Sequence, residues 1–85
     1  MIENGNNEKI TINGLVIPCQ WDNEGNVKGI TLAGFDETNY AILMDKVGKS
    51  LLTLLHKKVV ISGKFTKINN SDKIRVQKYH LIENL

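Results

Sequence analysis

Apolar and polar residues alternate over five separate stretches of this chain, and the rhythm breaks once. A period of two marks a strand that buries one face, because successive side chains point to opposite sides of a sheet. The first such stretch runs from about Lys9 to Trp21. Ile10 and Ile12 alternate with Thr11 and Asn13; beyond Gly14, Leu15, Ile17, Cys19 and Trp21 form one set, and Val16, Pro18 and Gln20 the other. Gly14 reads as a bulge or a sharp bend. Pro18 has no N–H to donate, so its stretch reads as an edge or a bulge. A long first strand bent at a glycine suits a small closed sheet, where one strand pairs with two neighbours.

Asp22 to Asn26 is a turn cluster, and the second strand follows from Val27 to about Phe35. Lys28, Ile30, Leu32 and Gly34 share one of its faces; Gly29, Thr31, Ala33 and Phe35 share the other. After the turn Asp36–Asn39, a third strand spans Tyr40 to about Asp45. The period then changes: Leu51, Leu54 and Leu55 sit at i, i+3 and i+4, which predicts a helix of about two turns near residues 48–56. Ser50 is its expected N-cap, and His56, Lys57 and Lys58 oppose the negative pole of the helix dipole. The fourth strand covers Lys58 to about Ile68, and Asn69–Asp72 makes a turn. The fifth covers Lys73 to Ile82, with its pattern blurring at Lys78–Leu81 as it would at a bulge. The expected order is strand, strand, strand, helix, strand, strand, in one domain over residues 9–85 behind a polar, flexible tail over residues 1–8.

Charge sharpens this picture. The net charge of +2 hides an asymmetry: residues 1–45 carry seven acids and two bases, whereas residues 46–80 carry nine bases and one acid. Two readings stand. Lysines on strand edges keep a small β domain soluble and block edge pairing. Alternatively, a basic face attracts phosphate.

The chemistry-bearing residues are sparse. No apolar run approaches the ~20 residues of a membrane span, and the polar start shows no signal peptide, so a cytoplasmic setting without membrane attachment is expected. Cys19 is the one cysteine and is expected to be a buried structural thiol. His56 and His80 are the two histidines, and no metal-ligand, P-loop or nucleophile-elbow spacing is present. Asp36–Glu37 is an acidic pair in a turn, expected to be solvated. Binding is therefore expected in place of catalysis, with no metal and no cofactor.

Several motifs carry a resemblance: Gly14 with Val16, Trp21–Asp22 followed by Gly25, Asp36–Glu37 then Tyr40, Gly48–Lys49 with Leu51–Leu52, the run Val59–Lys64, and Ile74 with Val76. Over residues 9–82 the chain resembles bacterial and archaeal OB-fold domains of the nucleic-acid-binding type. That implies a five-stranded OB-fold barrel, mainly β, with its short helix between strands three and four. It also implies a single-stranded DNA or RNA ligand laid across strands two and three, between the first-turn loop and the loop joining strands four and five. Trp21, Phe35 and Tyr40 would then stack on bases, and Lys64, Lys67, Lys73, Arg75 and Lys78 would meet phosphates.

The chain departs from that pattern in charge. Its first-turn loop is acidic, with Asp22 and Glu24, and its bases lie on strands four and five. Five aromatics make up the whole set, and one or two are expected to serve the core, so Trp21, Phe35, Tyr40 and Phe65 are divided between packing and contact. Two functions follow from the sequence: a weak, sequence-tolerant binder of single-stranded nucleic acid, or an OB domain that docks a protein through a sheet face or an open edge.

Overall fold

Inward-facing aliphatics of period two pull the strands into one antiparallel sheet, and a computed structural model describes that sheet over residues 9–82. The tail expected over residues 1–8 and the last three residues lie outside this range. Strands β1 (Lys9–Trp21), β2 (Val27–Gly34), β3 (Asn39–Ala41), β4 (Lys58–Ile68) and β5 (Ser71–Leu81) pair in the order β3-β2-β1-β4-β5. Between β3 and β4 lies a nine-residue helix, α1 (Lys46–Ser50) continued by a 3₁₀ turn (Leu51–Leu54). The expected architecture thus stands as five antiparallel strands with one short helix in the expected place. Between the β3 and β5 ends there is one parallel bridge, Ile42 with Ile74, where Leu43 N–H donates to Ile74 O at 2.9 Å. A single bridge is not a ladder, and closure into a barrel is not shown.

The first strand divides between two partners as expected: Lys9–Leu15 pairs with β4, and Gly14–Trp21 pairs with β2. The residue at the division, Gly14, is no bulge. Its register is continuous in both ladders, and a Cβ there would lie 2.7 Å from Ala33 O, so glycine serves close packing. The irregularity falls at Pro18 instead. Pro18 pairs with Ile30 and Gln20 with Gly29, which leaves Cys19 unmatched and exposed, not the buried thiol expected of a lone cysteine. Beyond Gly14 it is Val16, at 0% exposure, that reaches the core, while Leu15 and Ile17 stay half-buried on the other face.

The core is wholly aliphatic. Val16 and Leu32 face each other from β1 and β2, Ile12 and Ile61 from β1 and β4, and Leu51 caps the set from the 3₁₀ turn at 0% exposure. No polar side chain is buried among the described residues. Burying one such leucine is worth about 1.5–3 kcal/mol. None of the five aromatics is fully buried; the ones that serve the core are Tyr40 and Tyr79, which pack against its rim.

The helix begins earlier than the leucine spacing predicts. Its N-cap is Asp45, not Ser50: the Asp45 carboxylate accepts Gly48 N–H at 2.9 Å. Aspartate there satisfies one of the free N–H groups of the first turn, as serine would have done. Ser50 instead shares a hydrogen bond of 2.6 Å with the Tyr79 hydroxyl, tying the helix to β5. The helix ends at Leu54; Leu55 is extended and His56 adopts φ 67°, which turns the chain into β4.

Candidate nucleic-acid interface

Directly opposed residues of paired strands share a face, so the register alone maps the surface of β1, β4 and β5. Val59, Ile61 and Gly63 of β4 point inward and are buried. Lys64 therefore points outward, and it stands between Lys9 of β1 and Arg75 of β5. One step towards the hairpin tip, Thr66 faces Lys73. One step the other way, Thr11, Ser62 and Lys78 form a row. Successive rows are two residues apart, about 6.7 Å along each strand.

A bulge puts Lys78 in this array. Val76 pairs with Gly63 and Lys78 with Ser62, which leaves Gln77 over. Without the extra residue Lys78 would share the inward parity of Ile74 and Val76. With it, Lys73, Arg75 and Lys78 all lie on the outer face, and Tyr79 turns in against Ile61. The blurred alternation read in the sequence at 78–81 is the trace of this bulge.

Three like charges side by side across three strands repel one another. Only one of them has an acidic partner among the described residues: Arg75 lies 3.5 Å from Asp45, whose other carboxylate oxygen caps the helix. That contact anchors the guanidinium at the sheet edge. Lys67 does not join the array. It has inward parity beyond Phe65 and pairs with Asp72 at 3.2 Å near the hairpin turn. With both side chains over 60% exposed, this pair adds little stability, but it partly neutralises Lys67.

The aromatics separate too. Phe35, 55% exposed, sits opposite Asn13, to whose carbonyl its N–H donates at 3.0 Å, and so shares the outer face with the basic rows. Tyr40 pairs with Leu32 and leans inward over Gly34, where a Cβ would come within 3.0 Å of its ring. Its ring centroid is 6.5 Å from that of Phe65, and its hydroxyl donates to Asp36 at 2.9 Å. Trp21, 53% exposed, pairs with Val27 at the far end of β1, eight residues from Asn13 or on the order of 25 Å along the strand. Trp21 and Phe35 therefore do not belong to one compact site.

Where β2 leaves β1 there is an open cleft of about 390 Å³, lined by Thr11, Ile12, Asn13, Phe35, Asp36 and Tyr40. The carboxylate of Asp36 accepts Thr38 N–H at 3.0 Å and the Tyr40 hydroxyl. Those donors hold the Asp36 carboxyl below its ordinary range, Thr38 N–H foremost, while the hydrogen bond that the Tyr40 hydroxyl donates to Asp36 raises the phenol above its own. In the first turn, Asn26 N–H and Glu24 N–H lower Asp22 in the same way. Asp36 is exposed, as expected of a turn acid, and also lines the cleft.

Two residues of this region were not singled out as ligand contacts from the sequence. Lys9 looked like the start of a strand, and only the β1–β4 register brings it beside Lys64. Asp36 looked like a turn acid, and only the approach of Tyr40 makes it part of a concavity. Among the described residues no three His, Cys, Asp or Glu side chains gather as metal ligands. No helix there is long and apolar enough to cross a membrane.

No family model matches the chain, and neither a curated protein nor a solved structure matches it. What stands is a small five-stranded antiparallel β domain with a short helix between its third and fourth strands, with no family identified.

Proposed function

We propose that this chain is a non-enzymatic OB-type module that holds single-stranded DNA or RNA weakly and without strong sequence preference. Support for the OB-type barrel comes from the strand order, the helix between β3 and β4, and the parallel bridge of Ile42 with Ile74 at the seam. The observation that carries the function is the array of Lys9, Lys64, Lys73, Arg75 and Lys78 in three rows on one face, with Phe35 on the same face. Rows about 6.7 Å apart suit successive phosphates of an extended strand running along the β4–β5 hairpin. Charge then supplies affinity and leaves most of the sequence unread.

Titration of fluorescein-labelled oligo-dT and oligo-rU across a salt series tests this. Three rows meeting about three phosphates give a slope of log K against log[salt] near −2, at about −0.7 per contact. Absence of any backbone resonance shift at low salt and high protein concentration defeats the proposal. The exposed Phe35 beside the Tyr40 cleft favours one other reading, a protein ligand docked at that corner. That reading forecasts partner binding insensitive to changes at Lys64 and Lys73.

A further inference from the structure

We infer that the cleft between β1 and the β2–β3 turn takes one unstacked base of the bound strand, and that Asp36 makes guanine its preferred occupant. The inference rests on the nucleic-acid reading above and adds one selective position to an otherwise sequence-tolerant track.

The cleft adjoins the basic rows through β1. Thr11 and Asn13 line it, and on the same outer side of the strand Lys9 stands one step further on, beside Lys64. Phe35 stands opposite Asn13, two rows or about 13 Å along β1 from Lys9, so a strand with one phosphate at Lys9 and Lys64 brings a base about two nucleotides further on beside Phe35. That ring is 55% exposed and offers a stacking face. Gly34 lets the Asp36 carboxylate and the Tyr40 ring close down over β2 beside the cleft, since a Cβ there would meet Asp36 Oδ1 at 2.6 Å and push against that ring.

Donor and acceptor inventory then selects the base. An ionised carboxylate only accepts hydrogen bonds, with spare lone pairs beyond the two that Asp36 uses for Thr38 N–H and the Tyr40 hydroxyl. The Tyr40 proton is committed to Asp36, so its oxygen also turns lone pairs outward. This wall asks for donors. Guanine alone among the bases carries two adjacent donors on its Watson–Crick edge, N1–H and the N2 amino group, spaced for the two oxygens of a carboxylate. Adenine and cytosine place an acceptor beside their amino group. Thymine and uracil flank a single N–H with two carbonyl oxygens that the carboxylate repels. The lowered Asp36 carboxyl agrees with a group that stays ionised whenever the strand is bound.

The experiment compares a labelled all-thymidine hexanucleotide with one bearing a single central guanosine, by fluorescence anisotropy at low salt. The guanosine strand is expected to bind about fivefold tighter, the lower end for one bidentate base contact. Asp36→Asn keeps an acceptor for Thr38 N–H and is expected to erase that ratio without weakening the all-thymidine strand. Guanosine monophosphate is expected to shift the amide resonances of Phe35, Asp36 and Tyr40. Equal binding of the two strands, or a ratio that survives in Asp36→Asn, overturns guanine selection and leaves the phosphate reading standing. Failure of both strands to bind removes both. Shifts at Phe35 and Tyr40 with an arginine-bearing peptide but with no nucleotide would assign the cleft to a protein side chain and overturn the inference.

Discussion

Reversing Lys64 to glutamate should strengthen the fold and weaken the ligand. Lys64 stands directly between Lys9 and Arg75 on the outer face, so the native row sets like charge against like charge twice. Lys64→Glu converts both contacts to opposite-charge pairs, each worth about 0.2–1 kcal/mol across strands. These side chains are part-exposed, and salt screens them, so a net gain of about 0.5–1 kcal/mol is reasonable. For a domain of this size that raises the melting temperature by about 3–6 °C. Added salt should stabilise the wild type by screening the row, and should do less for the variant.

The ligand should respond with the opposite sign. Losing the middle base lowers the salt slope by about 0.7 and weakens every sequence alike. Thermal denaturation by circular dichroism at two salt concentrations, together with oligonucleotide anisotropy, reads both effects on one sample. A variant that melts lower, with the salt response of the wild type, refutes the repulsive row. A variant that melts higher but binds as before shows that the row does not touch phosphate.

Three further outcomes are expected. Leu51→Ala empties a fully buried position under the helix and should cost about 2–4 kcal/mol, read as a shift in the urea midpoint without loss of native signal at zero urea. The Tyr40 phenol should titrate above 10 by ultraviolet difference absorbance, and lower in Asp36→Asn; its hydrogen bond is present below the ordinary phenol range and is lost as pH rises through the raised value, while protonation of Asp36, below the ordinary carboxylate range, weakens the same bond from the acid side. Cys19 should react with a thiol reagent in the native state, with no lag for unfolding, because it is exposed at the bulge; protection until denaturation would contradict the β1–β2 register.

Strand order and helix position were legible because they depend on local periodicity. Each strand carries its own alternating aliphatics, and the helix its own leucine spacing. What required the fold was register, which no single segment contains. Lys64 and Lys67 are three residues apart and chemically equivalent in the sequence. A strand reverses direction at every residue, so that odd spacing sends them to opposite faces. Lys73 and Lys78 are also separated by an odd number, yet share a face, because Gln77 is bulged out and shifts the parity between them. Counting bases on β4 and β5 therefore does not tell which of them share a face: Lys67 stands apart from the rows, and Lys9, from the first strand, stands beside Lys64.

The same reasoning explains where the aromatics went. A core this small is filled by β-branched and leucine side chains at alternating positions of paired strands, and the rings lie at its rim or outside it. Tyr40 compromises, its ring against Phe65 at the rim and its hydroxyl on Asp36. Trp21 and Phe35 are left outside at opposite reaches of β1 and β2. Exposure of two large rings at separate places weakens any reading in which they clamp one ligand together. It strengthens one in which Phe35 serves the end of the basic track and Trp21 stands apart from it. Trp21 fluorescence should then stay unquenched when an oligonucleotide of about three phosphates binds. Quenching proportional to occupancy by so short a strand would place the ligand at the acidic first turn, where Asp22 and Glu24 oppose it, and would refute the track along β4 and β5.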